Sequence, residues 1–431
     1  MSMLPHCLAL ALVPACLHAQ AAPRSMDLRT FVEGALKGNL DGLAQRFNVT
    51  SAQAQVSIDR LCPDPVLTTG ISGTELYGPN KSSNPTQYTV GVSWTLETGG
   101  KRAARVAVAG EGVRMARANL ETFLSDLRLN AENAFLDALR ARLVLESRSR
   151  TLEGFREVVR LDRIRYEAGD IGGVEYAQAK VEARRYEGEV LGAKADLASA
   201  EAVLAQLQGG GEPVAPAGDL ARPPVAHTIQ EVLGRALLNR VDLVAARQGL
   251  RLAESQNRLA KANRWVDLGL SLGVNHTPPV YATGSDTFGG PFPAPLLMSN
   301  SLSATVSIPL PFSRRQRGEL IQAEAARAQA RLGLQALELK TRAEVEGALA
   351  QYEAAAAQLR TYQEGILQDA DKVLEGIRFS YRRGAASLLE FIEAQRTSDE
   401  VHLAYLDALA AHAKALASLD RLSGSHDLLG D

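Results

Sequence analysis

Two periods organise the chain. Tyr88, Val90, Val92, Trp94 and Leu96 alternate with Gly91, Ser93 and Thr95. Leu268, Leu270, Leu272 and Val274 alternate with Gly269, Ser271 and Gly273, and Leu302 to Leu310 repeat the pattern against small polar residues. A period of two is that of a strand with unlike faces. Strands are predicted at about 65–74, 87–97, 266–275 and 301–310, the first being the least regular. Each is long enough to cross a bilayer when tilted. The other period is seven. Val113, Leu120, Leu127, Ala134 and Ala141 recur at that spacing, and Leu124, Ala131, Ala138 and Leu145 supply a second position. This predicts a coiled-coil seam, thinned by Ala so that backbones approach closely. Proline is absent from about Lys101 to Ala168 and from Gly318 to Arg383. A helix of that length measures about 100 Å.

The chain also repeats itself. At an offset of 215 residues, Tyr166 falls on Tyr381, Gly169 on Gly384, Glu175 on Glu390 and Ala179 on Ala394. Nearer the start the offset is 201: Ala35, Asp41 and Leu43 fall on Ala236, Asp242 and Val244. The second copy thus holds about 14 more residues, accommodated by an enlarged loop from Asn275 at the low cost of a surface insertion. Each copy reads helix, strand, loop, strand, then two long helices. The first helices cover 27–61 and 228–263, and the returning helices 171–208 and 386–423. Gly169 and Gly384 allow tight helix reversals, so both tips lie at one end of the helices. The expected organisation is a first repeat at 22–208, a Gly/Pro-rich linker at 209–227, a second repeat at 228–424 and a tail at 425–431.

Composition removes several classes. The 431 residues carry 47 basic and 49 acidic side chains, and aromatics are 5%, which argues against a nucleic-acid binder. No apolar run reaches the length of a membrane-spanning helix. Residues 1–21 read as an export signal with an apolar core at 7–17, although no Lys or Arg precedes Arg24. Either the signal is cleaved near Ala21 or Cys16 is lipidated. Cleavage near Ala21 would leave Cys62 alone, so no disulfide framework is expected. The seven His form no HxxH pair, no GxxxxGK loop occurs, and no Ser-His-Asp arrangement can be argued. No metal site, cofactor or enzymatic activity is expected.

Four strands cannot close a barrel, and open strand edges are not tolerated in hydrocarbon. The chain is therefore expected to assemble, and three copies would supply twelve strands, an even count. The duplicated helix-strand-strand-helix-helix plan carries a resemblance. So do residues 308–330, IPLPFSRRQRGELIQAEAARAQA, and the run FSYRRGAASLLEFIEAQ from Phe379. The chain resembles TolC-type outer membrane efflux factors, in the branch of the cobalt-zinc-cadmium (CzcC-like) component. The resemblance implies a homotrimer. An all-α periplasmic barrel of long coiled-coil helices would join a transmembrane β-barrel with four strands per chain, closed as a 12-stranded trimer. It implies residence in a Gram-negative outer membrane, against outer membrane lipid, with most of the mass in the periplasm. It also implies two partners: a periplasmic adaptor and an inner membrane RND pump.

The resemblance further assigns residues. Tyr166, Gly169, Asp170, Tyr381, Arg382, Arg383 and Gly384 would form the tips where the adaptor docks. Glu390 and Glu393, at i and i+3 on one helical face, would ring the periplasmic entrance. Crowding in such a ring should raise some of their pKa values. Ala386 stands where some relatives carry a basic residue that locks the entrance, leaving Arg382 or Arg383 as its candidate replacement. The loops from Asn275 to Ser299 and from Thr74 to Pro85 would face the exterior. Cargo stays open between divalent heavy metals and organic drugs or dyes. A structural periplasmic coiled-coil protein without a channel is the alternative of another class.

Overall fold

A computed structural model describes residues 24–73, 86–210, 213–223, 228–279, 299–310 and 317–424. The export signal, most of both strand-strand loops, the chain before Arg317 and the C-terminal tail lie outside these residues.

In chain order the elements are β1 (Arg24–Met26), α1 (Leu28–Gly38), α2 (Leu40–Asp59), β2 (Val66–Ser72), β3 (Gln87–Leu96), α3 (Lys101–Ala168) and α4 (Gly173–Leu207). There follow β4 (Val214–Pro216), α5 (Ile229–Asn239), α6 (Val241–Ala262), β5 (Leu268–Thr277), β6 (Ser299–Ser307), α7 (Arg317–Thr361), a π-helical turn (Tyr362–Ile366), α8 (Leu367–Arg382) and α9 (Leu388–Ser423). The chain divides into two compact units that do not follow the two repeats. One holds Phe123–Ala236 and Ala343–Asp431 with the chain up to Leu43, and the other holds Ala44–Thr122 and Leu237–Arg342. Each takes pieces of both copies.

The single first helix expected in each copy is broken. Asn39 separates α1 from α2 with φ −61° and ψ 124°, and Arg240 separates α5 from α6 with φ −59° and ψ 123°. The two breaks are 201 residues apart, the offset of the repeat. Asn39 accepts from the Gly42 amide at 3.0 Å, so its carboxamide satisfies one of the orphan N–H groups of α2. Arg240 instead fixes the carboxylate of Asp242 at 2.8 Å. The proline-free stretch of the second copy is also not one α-helix. The π turn interrupts it, whereas α3 runs unbroken for 68 residues.

In the unit that holds α4, α8 and α9, three apolar clusters carry the core. The first joins Phe31 and Ala35 of α1 to Phe135, Leu136 and Leu139 of α3, with Val214 and Leu220 from the expected linker. That segment is therefore not all surface: its β4 pairs in parallel with β1, and Arg142 donates to the Pro216 carbonyl at 2.5 Å. Of the predicted seam, Leu127, Ala131 and Ala138 are buried, while Ala134 and Ala141 are half-buried. Phe135, Leu136 and Leu139 widen the buried face beyond a heptad stripe, because α3 meets more than one neighbour.

In the other unit the strands form one antiparallel sheet in the order β2-β3-β5-β6. β5 and β6 are displaced by two or three residues from the expected bounds. The register places Val90 opposite Thr69 and Val274, and Leu272 opposite Val92 and Ala304. Gly91 lies opposite Thr68 and Gly273, and Ser271 opposite Ser93 and Thr305. One face is thus mostly Leu, Val, Ile and aromatic, with Thr69, Ala304, His276 and Asn300 among them; the other is almost wholly Gly, Ser, Thr, Asn and Gln. Among the described residues β2 and β6 each have one unpaired edge. Lys101 closes on Asp267 at 2.7 Å and Arg105 on Glu97 at 2.5 Å, tying the start of α3 to the ends of β3 and β5.

Candidate functional site

The tips lie in the helical unit and are closed by two turns of the same kind. Gly169 has φ +81°; its amide donates to the Tyr166 carbonyl at 3.0 Å, and the Asp170 amide donates to the Arg165 carbonyl at 2.8 Å. Gly384 has φ +74°, with Gly384 to Tyr381 at 3.0 Å and Ala385 to Ser380 at 2.9 Å. Both are Schellman ends, in which a left-handed residue ends the helix and satisfies its last carbonyls. A Cβ at Gly169 would meet nothing within 4 Å, so the requirement there is conformational and not steric.

The matched tyrosines do different work. Tyr166 is half exposed and stacks on Tyr176 at 5.5 Å. Tyr381 is buried, and its hydroxyl donates to Asp162 Oδ1 of α3 at 2.5 Å. Its ring stacks on Phe391 at 5.5 Å, and the Arg165 guanidinium lies 5.6 Å from the ring centre. Of the two tyrosines expected at the docking tips, Tyr381 is thus covered by its own chain and Tyr166 is not. Burial raises the Asp162 pKa, with the Tyr381 hydroxyl opposing. Burial also raises that of Tyr381, and the Asp162 hydrogen bond and charge add to it. The other Asp162 oxygen is buried and makes no hydrogen bond.

One layer further from the tips, Asp399 of α9 accepts from Thr151 at 2.9 Å, Tyr186 at 2.6 Å and Gln395 at 3.1 Å. Arg396 of α9 donates to Glu182 of α4 at 2.6 Å. These contacts tie the hairpin α3–α4 to the hairpin α8–α9. Sequence reasoning missed Asp162 and Asp399. The available signal was a carboxylate set among apolar helix positions, as Asp162 is between Val158 and Leu161 on one side and Arg165 on the other.

Glu390 and Glu393, the residues expected at the entrance, are both exposed. Glu390 is third in α9 and closes a capping box: Ser387 N donates to its Oε2 at 2.7 Å, and Glu390 N donates to Ser387 Oγ at 3.3 Å. Hydrogen bonds from Ser387 backbone and side chain hold the Glu390 carboxyl below the usual range. Within one chain that pull opposes the rise expected from ring crowding. The matched Glu175 follows Gly172, which supplies no side-chain cap. Arg382 pairs with Glu157 at 2.9 Å, and the Arg383 guanidinium sits 4.2 Å from the Phe379 ring centre. Within the chain both are engaged away from Glu390 and Glu393. Asp170, Arg382, Arg383 and Gly384 are exposed.

Behind the tips lies a groove of about 1010 Å³ between α3, α4 and α8. Six of its lining residues are basic, among them Arg160, Arg184 and Arg378, against Glu153, Glu157 and Glu187. Its surface is net cationic. Among the described residues no group of His, Cys, Asp and Glu is placed to hold a metal ion, and no helix is long and apolar enough to cross a membrane.

Comparison with known proteins fits this geometry. Over 420 residues the chain is 25% identical to the cobalt-zinc-cadmium resistance protein CzcC of Cupriavidus metallidurans, covering 96% of this chain and 93% of that one. The crystal structure of CusC superposes with a TM-score of 0.72 at 20% identity, covering 92% of both chains. The Campylobacter jejuni CmeC outer membrane channel gives 0.73 at 17% identity, covering 92% of this chain and 85% of that one. The architecture is TolC-like, long helices joined to a strand sheet. The profile of the outer membrane efflux protein family matches residues 32–210 and 232–425, and the chain belongs to that family.

Proposed function

We propose that the chain assembles as a homotrimer whose twelve strands close a β-barrel in a Gram-negative outer membrane, and that this trimer is the exit duct for divalent heavy-metal cations. Members of the family are non-catalytic conduits of tripartite efflux systems, so the chain is no enzyme. The observation that carries the reading is the sheet. Its β2 and β6 edges are open and one face is apolar. Unpaired edges in hydrocarbon cost several kcal/mol per group, and closure with further copies removes them. The face of Gly, Ser and Thr would then line the passage, and the long helices would form the periplasmic barrel.

The partners are a periplasmic adaptor and an inner membrane RND pump. The exposed tip residues Tyr166, Asp170, Arg382 and Arg383, with the cationic groove behind them, make a polar docking surface for the adaptor. The metal cargo rests on the likeness to CzcC along nearly the whole chain. Organic cargo is the second reading, favoured by the sheet itself. No charged side chain occurs on its polar face among the described residues, so the strands impose no preference for ions. Deleting the gene in its host and restoring it decides between them. Loss of tolerance to cobalt, zinc and cadmium, with tolerance to dyes intact, is expected. Loss confined to dyes would remove the metal reading while leaving the duct in place.

The entrance assignment has its own expected result. Gln serves as well as Glu at the third position of a helix, so Glu390→Gln removes charge and keeps the cap. The double substitution Glu390→Gln with Glu393→Gln should move the reversal potential in a salt gradient toward zero. It should also weaken block by divalent cations, with trimer yield unchanged. Identical bilayer recordings for variant and parent would withdraw both residues from the entrance.

A further inference from the structure

The C-terminal half of α9 buries a carboxyl group that nothing in the conduction reading uses. Asp420 is 6% exposed, and neither of its oxygens has a hydrogen-bond partner. Both oxygens are covered by the chain itself, so a neighbouring copy cannot reach them. The charged groups facing it come from two elements. α3 presents Glu132 and Arg128, and α5 presents Arg235. Glu132 is itself 3% exposed and takes the Arg128 guanidinium, Nε to Oε1 at 2.9 Å. α7 meets this part of α9 through Val345 and Leu349, and its Tyr352 lies against the buried His412 at 5.2 Å between ring centres. Burial lowers the His412 pKa, so on the alkaline side of the ordinary histidine range that ring offers Asp420 no charge. The next residue, Arg421, is held by Asp126 of α3.

A buried carboxylate without a hydrogen bond is costly, and a second carboxylate nearby makes it costlier. The protonated form carries neither penalty. We propose that Asp420 is a proton-dependent clasp: with its carboxyl protonated the last turns of α9 pack against α3 and α5, and when the proton leaves that packing loosens.

The pH window follows. Aspartate in an unfolded chain ionises near pH 3.9. Burial, with the charge of Glu132 adding to it, pushes Asp420 up to about 8. The folded state therefore holds a proton that the unfolded state has already released. Stability is undiminished below about pH 4, falls as the pH climbs toward 8, and is level above that.

The test uses the full-length protein purified in detergent. Thermal unfolding is followed from pH 4.5 to 9, with hydrogen exchange of the segment from Ala410 to Ser423. Asp420→Asn keeps the shape and cannot ionise. It should match the parent near pH 4.5, exceed its midpoint by several degrees at pH 9, and abolish the alkaline rise in exchange over that segment. Equal pH slopes in the two proteins, or an Asn variant weaker at every pH, would overturn the clasp. Should Asp420→Asn not fold, Glu132→Gln serves instead. It removes the like charge and releases Arg128 toward Asp420, so the alkaline loss should shrink. An unchanged loss in that variant would equally overturn the proposal.

Discussion

Val90→Lys is expected to remove the protein from the outer membrane fraction, while Thr305→Lys leaves it there. Both residues sit within the strand sheet, on opposite faces. Val90 is 54% exposed on the apolar face, beside Thr69 and Val274. Thr305 lies opposite Ser271 on the face of small polar residues. A lysine facing lipid near the bilayer midplane costs about 2–4 kcal/mol, and threefold assembly places three of them in one barrel. The same lysine facing a water-filled lumen keeps its hydration. Three lumenal lysines on a strand face otherwise without charge among the described residues should also shift selectivity toward anions. Heat-modifiable trimer on gels reads the first effect, and reversal potential in bilayers reads the second. Tolerance of Val90→Lys with loss of Thr305→Lys would invert the assignment of the faces. Tolerance of both would argue against a membrane barrel altogether.

Tyr381→Phe is expected to loosen the tip without unfolding the helices. The substitution keeps the stack on Phe391 and the contact with Arg165 and removes one hydroxyl. That hydroxyl supplies the hydrogen bond to Asp162 Oδ1, and Oδ2 has none. A buried acid stripped of its partner costs about 1–3 kcal/mol. The link it breaks runs from the end of α8 to α3, between the two hairpins, so the hairpins should separate more readily there. Hydrogen exchange should quicken over Arg378 to Ala385, and open events in single-channel records should become more frequent. Adding Asp162→Leu removes the stranded group and should recover most of the lost protection, since deleting both partners of a buried bond is nearly neutral. Exchange at the tip that does not respond to Tyr381→Phe would mean that the Asp399 layer alone holds the hairpins together.

The local pattern of the sequence determined the elements and their faces. Strict alternation in 87–96 and 268–276 decides which residues share a side of the sheet, because successive side chains in a strand point oppositely. The repeat placed two equivalent tips, and the Gly in each is legible because few other residues accept a left-handed backbone. The tertiary structure decided which partner each face meets. Tyr166 and Tyr381 occupy matched positions, yet one is exposed and the other buried, because Asp162 stands across from Tyr381 and 219 residues away in the chain. The breaks at Asn39 and Arg240 leave no mark in the apolar period, since a kink changes direction without changing the residues that face inward. The expected linker looked polar because, among its described residues, Val214, Pro216 and Leu220 are buried, and three scattered residues make no helical period. Asp420 sits at an unremarkable helix position, and only the approach of Glu132 and the closure of α3 and α5 over it turn an ordinary aspartate into a proton-binding group. Periodicity reports a residue's side of its own element; burial and charge depend on what other elements bring to that side.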